Sequence, residues 1–236
     1  MRQSRYTEKF FDLIAHHNPR SPISEAFRTL RTNLEFVSPD KPLKSILLSS
    51  PGPGEGKSTV SANLAISIAQ TGKKVILIDA DMRKPSQHKL FSLPNKTGLT
   101  TLLVKDPMDD VKQDVSIPGL SIITSGPIPP NPAELLTSKN MQTVIDLLSN
   151  NADIVIYDTP PVAIVSDALI ISPKLDGVLM VVRLGTTSKE AVKRTKELLK
   201  ASRARVLGVV VNEISKRHGY DNFYYYHYYG ETENAN

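Results

Sequence analysis

The stretch Ser50-Pro51-Gly52-Pro53-Gly54-Glu55-Gly56-Lys57-Ser58-Thr59 decides the fold of this chain. It matches the phosphate-binding P-loop pattern, except that Pro51 stands where the pattern begins with glycine. An apolar run at 45–48 precedes it and a helix-forming run at 61–70 follows it, which is the context that the motif requires. The alternative is an ordinary glycine-rich turn. Such a turn would not require a strand before it, the sequence Gly-Lys-Ser within it and a helix after it, and all three occur here. The sequence therefore predicts a phosphate site.

The residue types in this loop suit the β- and γ-phosphates of a nucleotide. Gly54 and Gly56 allow backbone N–H groups to turn toward phosphate oxygens. Lys57 supplies a positive charge, and the hydroxyl of Ser58 can ligate Mg²⁺.

Short apolar runs recur along the chain and alternate with stretches that can be helical. Because the runs are apolar on both faces, they indicate buried strands of a parallel sheet with helical crossovers. The predicted fold class is α/β, with a mostly parallel central sheet flanked by helices. The six predicted strands are 45–48, 75–78, 120–123, 154–157, 178–182 and 206–211.

Composition narrows the class of protein. With 236 residues and 40% apolar content, one domain is the default. The net charge of +5 suits phosphate ligands but does not indicate nucleic acid, and no nucleic-acid partner is expected. The absence of cysteine excludes disulfides, thiolate zinc sites and cysteine-ligated iron–sulfur clusters. No apolar run approaches the ~20 residues of a membrane span and 1–11 do not form a signal peptide, so we expect a cytoplasmic protein.

Three aspartates follow predicted strands: Asp79 and Asp81 after one, and Asp158 after another. Ligands collect at the carboxyl ends of parallel strands, so we expect these carboxylates beside the P-loop. Asp158 fits the role of an acidic residue that holds Mg²⁺, either directly or through a water molecule. Asp79 and Asp81 point the same way, and one can hold metal while the other takes a proton. The alternative is that each simply caps a turn.

A helix is predicted at about 21–37, before the first strand. Ser21 and Pro22 suit its cap and first position. Its apolar stripe consists of Ile23, Phe27, Leu30, Leu34 and Val37. Beside the stripe lies a charged flank made of Glu25, Arg28 and Arg31. This flank can pair with another subunit, or it can be solvated and form intrahelical pairs of small value.

The predicted P-loop domain covers residues 1–212, and 213–236 is predicted to be a flexible tail. The tail holds six of the eight tyrosines: Tyr220, Tyr224, Tyr225, Tyr226, Tyr228 and Tyr229. Because the chain also has a phosphate site, these tyrosines are predicted to accept phosphoryl groups. Without that site, the tail would instead suggest an aromatic segment that binds a partner or packs on the body of the protein.

Together these motifs resemble the bacterial protein-tyrosine kinases, specifically the cytosolic Gram-positive type of capsule and exopolysaccharide systems, which is encoded apart from its membrane activator. The resemblance covers essentially the whole chain and implies a P-loop NTPase of the ParA-like branch with a deviant Walker motif. It rests on Glu25-x-x-Arg28-x-x-Arg31, the P-loop, Asp79-x-Asp81-x-Arg83, Asp158-Thr159-Pro160-Pro161, the stretch 125–136 and the tyrosine-rich tail.

The resemblance implies that residues 52–59 bind ATP and Mg²⁺, that Asp81 and Asp158 hold the metal together with Ser58, and that Asp79 rather than Asp81 is the base. Asn212 resembles the adenine-reading asparagine of the branch, although a strand-terminal asparagine is also ordinary in a turn. Tail tyrosines would enter a neighbouring subunit's active site, and the leading helix would form a ring-shaped oligomer. Implied partners are a membrane-bound activator that recruits the chain to the inner face of the membrane, a cognate tyrosine phosphatase and protein substrates of polysaccharide synthesis.

Two other functions compete with the kinase. A positioning ATPase of the ParA or MinD kind typically has a lysine five residues before the P-loop lysine, where this chain has Gly52. A nucleotide-gated scaffold without turnover is the other, and an intact P-loop lysine with three carboxylates argues against it. Separately, a basic stripe on a helix predicted at 188–203 either faces anionic lipid or is simply solvated: Lys189, Lys193, Lys196, Lys200 and Arg203.

Overall fold

The computed structural model describes residues 13–105 and 111–213. These residues form one seven-stranded sheet in the order β3-β4-β2-β5-β1-β6-β7. Every neighbouring pair is parallel except β3 and β4. The strands are β1 Ser45–Ser49, β2 Val75–Asp79, β3 Lys112–Asp114, β4 Leu120–Ile123, β5 Ile154–Asp158, β6 Gly177–Arg183 and β7 Val206–Asn212.

Helices cover both faces of the sheet, which confirms the α/β class. In the described residues they are α1 Ile14–His17, α2 Pro22–Val37, α3 Lys57–Ala69, α4 Gln87–Leu90, α5 Leu99–Lys105, α6 Pro132–Thr137, α7 Lys139–Asn151, α8 Asp167–Ile171 and α9 Lys189–Ala201, with a 3₁₀ turn at Ser172–Lys174. None of the helices in this part of the chain is long and apolar enough to cross a bilayer.

The sheet separates two hydrophobic cores, because successive strand residues point to opposite faces. Leu47 of β1 packs into one core, whereas its neighbours Ile46 and Leu48 pack into the other. Helix α3 lies in the second core, and all of its residues from Val60 to Ala69 are buried. The P-loop that leads into α3 is therefore held between a buried strand and a buried helix.

All six predicted strands exist, but the sheet differs from the prediction in two ways. A seventh strand, β3, was not predicted, because its three residues are polar and two of them are exposed. Strand β7 was expected to be buried, yet Val209 and Val211 are 49% and 45% exposed. β7 is an edge strand, and the apolar pattern of a strand does not reveal its place in the sheet.

The leading helix matches its predicted bounds. The side chain of Ser21 accepts a hydrogen bond from the N–H of Ser24, and Pro22 occupies the first turn. The predicted apolar stripe is only partly buried. Its middle packs against the second core, whereas Ile23 and Val37 at its ends are exposed.

Candidate functional site

The P-loop joins β1 to α3 and requires glycine at two left-handed positions. Gly54 has φ +74° and Gly56 has φ +82°. At Gly56 a Cβ atom would lie 2.0 Å from the Nδ2 of Asn212, whereas at Gly54 it would meet no atom within 4 Å. The helix itself begins at Lys57, four residues before the predicted run, so the lysine belongs to its first turn.

Two hydrogen bonds hold the P-loop in its conformation. The backbone N–H of Gly52 donates to Oε1 of Glu55 at 2.9 Å. Asn212, at the end of β7, donates from Nδ2 to the carbonyl oxygen of Glu55 at 3.1 Å. Pro53 also lies in the loop, and Thr59 lies in the first turn of the helix. Asn212 is thus beside the P-loop, in contact with its backbone.

The ammonium group of Lys57 joins three motifs. Its Nζ lies 3.1 Å from Oδ2 of Asp81, 3.5 Å from Oδ1 of Asp158 and 3.1 Å from Oγ of Ser58. Burial by itself lowers the pKa of Lys57, but Asp158 and Asp81 outweigh burial, and the pKa is raised. The lysine is therefore a fixed positive charge among carboxylates.

Asp79 and Asp158 are register partners on the adjacent strands β2 and β5, and both are fully buried. Oδ2 of Asp79 accepts hydrogen bonds from the N–H groups of Ser86 and Gln87, each at 2.8 Å. Burial, and secondly the charge of Asp158, raise the pKa of Asp79 to about 7. Asp79 can therefore hold a proton near neutral pH, although its oxygens face the backbone of the following loop.

Gln87, at the start of α4, was missed by sequence analysis. Its Nε2 donates to Oδ2 of Asp158 at 2.8 Å and to the carbonyl oxygen of Ser58 at 3.0 Å. Its Oε1 is buried with no hydrogen-bond partner among the described residues. No motif identifies Gln87 in the sequence, because its contacts come from segments far apart in the chain.

A second missed residue, Asp167, holds the arginine of the Asp79-x-Asp81-x-Arg83 motif. Both of its carboxylate oxygens accept from the Arg83 guanidinium, at 2.9 and 3.0 Å. Asp167 is fully buried at the start of α8. A bidentate pair of this kind fixes the direction as well as the charge of the guanidinium.

The polar atoms around Lys57 fit Mg²⁺. Ser58, Asp81 and Asp158 present oxygen donors, and the unpartnered Oε1 of Gln87 is held next to Asp158. No three His, Cys, Asp or Glu side chains in the described ranges form a metal cage. Mg²⁺ does not need one, since it commonly takes one or two carboxylates together with waters and phosphate oxygens.

In the leading helix, the charged flank makes contacts within one chain. Arg28 forms an ion pair with Glu25 and donates to the carbonyl oxygen of Pro19. Arg31 donates to the carbonyl oxygen of Ser67 on α3 at 2.7 Å. The subunit contact predicted for Glu25, Arg28 and Arg31 remains a prediction.

The remaining predicted sites lie at the end of the chain. All six tail tyrosines fall outside the described residues. On α9, the four lysines of the basic stripe are exposed. The helix ends at Ala201, so the prediction that it extends to Arg203 is wrong; Arg203 adopts φ +64° just beyond it.

Comparisons with known proteins first confirm the class that the fold and the site define. The ParA family model, described as NUBPL iron-transfer P-loop NTPase, matches residues 43–218. MinD from Pyrococcus horikoshii, solved with Mg-ADP, superposes with a TM-score of 0.62 at 20% identity, covering 73% of this chain and 72% of that one. At that identity the likeness shows the fold alone. The chain is a P-loop NTPase of the ParA type.

Full-length relatives give the family. Tyrosine-protein kinase YwqD of Bacillus subtilis is 44% identical, with 99% of this chain and 98% of the relative covered. The putative tyrosine-protein kinase CapB of Staphylococcus aureus is 40% identical, with 93% and 95% covered. The crystal structure of the chimerical protein CapA2B2 superposes with a TM-score of 0.84 at 47% identity, covering 87% of this chain and 91% of that one.

The chain belongs to the bacterial tyrosine-protein kinase family, in its Gram-positive type. The kinase prediction is thereby confirmed over the positioning ATPase. This chain has no cysteine, so it has no thiolate that could bind iron as the name of the broader family suggests.

Proposed function

We propose that the protein transfers the γ-phosphoryl group of ATP to tyrosine hydroxyls in the C-terminal cluster of another copy of the chain. The observation that carries this proposal is the convergence of Lys57 with Asp81 and Asp158 beside the P-loop. The acceptors are Tyr220, Tyr224, Tyr225, Tyr226, Tyr228 and Tyr229.

Each part of the site has a role in binding the nucleotide. Residues 52–59 would surround the phosphates with their backbone N–H groups, apart from Pro53, which has none, and Lys57 would neutralise charge on the β- and γ-phosphates. Asn212, next to the loop, would contact the adenine. Ser58, Asp81 and Asp158 would hold Mg²⁺, which when bound neutralises the charge on the phosphate oxygens.

Asp79 is the proposed base. The tyrosine oxygen forms a bond to the γ-phosphorus, and the bond from that phosphorus to the β–γ bridging oxygen breaks. ADP leaves, and the phenolic proton goes to the carboxylate of Asp79. A pKa of about 7 suits a base that works near neutrality. Asp79 is fully buried, and backbone N–H groups donate to both of its carboxylate oxygens, so this step requires the loop after β2 to shift when the substrates bind.

The cellular setting is also a proposal, and the family motifs support it. Subunits assemble into a ring through Glu25, Arg28 and Arg31, and a separate membrane-bound activator recruits the cytoplasmic chain to the inner face of the membrane. The kinase regulates capsular or extracellular polysaccharide synthesis by acting on proteins of that process. A cognate tyrosine phosphatase reverses the modification.

Mixing two variants, one without a working site and one without tail tyrosines, tests transfer between copies. One variant carries Lys57→Met and keeps its tail, and the other carries all six tail tyrosines as phenylalanine and keeps its site. Incubated with Mg²⁺, ATP and the activator's cytoplasmic segment, the Lys57→Met chain should gain phosphotyrosine only in the mixture. Phosphate on neither chain, while wild type is modified, would show that transfer occurs within one copy.

A further inference from the structure

Helix α9 carries cations that none of the roles described above uses. The four lysines of the basic stripe, Lys189, Lys193, Lys196 and Lys200, recur at helical spacing, and all four are exposed. None of them forms an ion pair with another residue in the described part of the chain. Residues 188–205 hold seven lysines and arginines against two glutamates, so their excess of +5 equals the net charge of the whole chain. The net positive charge of the protein is therefore concentrated around this helix.

Arg203, the fifth member of the basic stripe, stands where the end of a helix favours glycine. Its φ is +64°, and its side chain is exposed. The N–H of Arg203 donates to the carbonyl oxygen of Lys200 at 2.9 Å, and the N–H of Ala204 donates to that of Leu199 at 3.0 Å. In this arrangement the left-handed residue is usually glycine, because a Cβ atom destabilises the left-handed conformation. An arginine here keeps a cation at a cost in stability, which points to a role for that charge outside the fold.

The basic stripe lies on the flank of α9 that is turned toward the edge of the sheet. Thr195 and Leu199 face the sheet and are buried. On the flank toward the middle of the protein, Oγ of Ser202 lies 3.4 Å from Oγ of Ser172 in the 3₁₀ turn. With 3.6 residues per turn, the four lysines lie on the side of the helix away from Ser202. That side is next to β7, the last strand of the sheet.

Next to this flank, apolar side chains of the sheet are uncovered. Val209 and Val211 are the register partners of Met180 and Val182 on β6. Met180 and Val182 pack into the same core as Leu199 of α9, so the two β7 valines lie on the face of the sheet that α9 covers. Val209 and Val211 are nevertheless about half exposed. The edge of the sheet therefore presents apolar side chains beside the cations.

Exposed cations beside uncovered apolar side chains select the kind of partner. The phosphate backbone of a nucleic acid pairs with cations alone, whereas an anionic bilayer offers both charged headgroups and apolar acyl chains. We propose that α9 and β7 form a membrane-binding face, on which the basic stripe contacts anionic phospholipid headgroups and Val209 and Val211 contact the apolar layer beneath them. The inference does not depend on the proposed phosphoryl transfer, and it adds a direct lipid contact to the proposed recruitment by an activator.

Co-sedimentation of the full chain with vesicles, without nucleotide or activator, tests this face. The chain should bind vesicles that contain about one-third phosphatidylglycerol in phosphatidylcholine, should not bind pure phosphatidylcholine, and should be released by salt. Lys193→Gln/Lys196→Gln should lower the binding constant by about 25-fold, because each cation near an anionic surface contributes about fivefold. Equal binding to neutral and anionic vesicles, or unchanged binding by this variant, would overturn the proposal.

The matched control removes two exposed lysines elsewhere in the protein. Lys112 lies on β3, at the other edge of the sheet, and Lys139 begins α7. Lys112→Gln/Lys139→Gln makes the same change in net charge and should bind anionic vesicles within about twofold of wild type. Equal weakening by the two double variants would show that net charge alone attracts the protein to the vesicle, and the proposed face would be refuted.

Arg203→Gly separates a binding role from a structural one. Glycine relieves the left-handed backbone, so the midpoint of urea unfolding should rise, whereas loss of the cation should lower the vesicle-binding constant by about fivefold. A purely structural role for Arg203 would not move stability and binding in opposite directions. Binding that stays at the wild-type level, or that falls together with stability, would contradict the role given to this arginine.

Polyglutamate is the probe for the other possible occupant, an acidic protein surface. Val209→Ser/Val211→Ser should lower the binding constant for anionic vesicles by about tenfold, because two half-exposed valines lose their contact with the apolar layer. The same variant should bind polyglutamate as wild type does, since polyglutamate meets only the cations. Weakened binding to both probes, or to neither, would overturn the assignment of this face to a membrane.

Discussion

The Nζ of Lys57 lies 3.1 Å from Oδ2 of Asp81, so the phosphate-loop lysine is an ion-pair partner of a carboxylate from the loop after β2. The two residues are 24 positions apart in the chain. Their contact couples the P-loop to the loop that carries Asp81. Binding of phosphates at Lys57 therefore acts on the same loop whose N–H groups hold Asp79.

Replacing Lys57 should abolish catalysis. In Lys57→Met the phosphates lose their buried counter-charge, and phosphoryl transfer should fall by at least about 100-fold. Thermal stabilisation by Mg²⁺ and ATP should disappear as well, which a melting curve with and without nucleotide measures. Lys73→Met removes an exposed lysine paired with Glu35 and serves as the control, with nucleotide stabilisation retained. Undiminished transfer by Lys57→Met would contradict the role of the lysine.

The two P-loop glycines should respond differently to alanine. Gly54→Ala should cost about 1–2 kcal/mol of unfolding free energy, because only its left-handed backbone is strained. Gly56→Ala should cost more and weaken nucleotide binding, because its Cβ would also collide with Nδ2 of Asn212. Adding Asn212→Ala to Gly56→Ala should recover part of the stability. Urea unfolding of the three variants checks this order, and equal losses for both single variants would argue against the collision.

Asp79 should make stability depend on pH. Because its pKa is raised to about 7 in the folded protein, Asp79 keeps a proton between about pH 4 and pH 7 that the unfolded chain releases. The free energy of unfolding should therefore fall as pH rises across this window, by up to about 4 kcal/mol. Asp79→Asn should remove this decline, leaving a flatter profile. Parallel profiles for the two proteins, measured by urea unfolding, would show that Asp79 is ionised throughout.

The pair of Arg83 and Asp167 should be a large contributor to stability. Asp167→Asn removes the charge that accepts both hydrogen bonds from Arg83, but the guanidinium left behind is 38% exposed to water, so the loss should be about 1.5–3 kcal/mol. As a comparison, Glu35→Gln breaks an exposed pair and should cost less than about 1 kcal/mol. If chemical denaturation shows the same small loss for both, Asp167 does not hold Arg83 in solution.

The central sheet could be predicted from the sequence, because its strands are short apolar runs separated by helices, and this pattern indicates buried parallel strands. It did not reveal β3, which is polar and only three residues long, nor the exposed face of β7 at the sheet edge. Such details depend on tertiary position, which local pattern does not encode.

The residues of the candidate site that belong to a sequence motif could be predicted. The P-loop and the three aspartates follow strands, so topology alone brings them to one edge of the sheet. Gln87 and Asp167 were missed, because each gains its importance from contacts with residues more than 70 positions away.

The most direct test of the central claim is the intact mass of the purified chain after incubation with Mg²⁺ and ATP, with and without the activator's cytoplasmic segment. The account predicts stepwise gains of phosphate that map to residues 220–229 and are absent from Lys57→Met. Consumption of ATP with no gain in mass under either condition would contradict it.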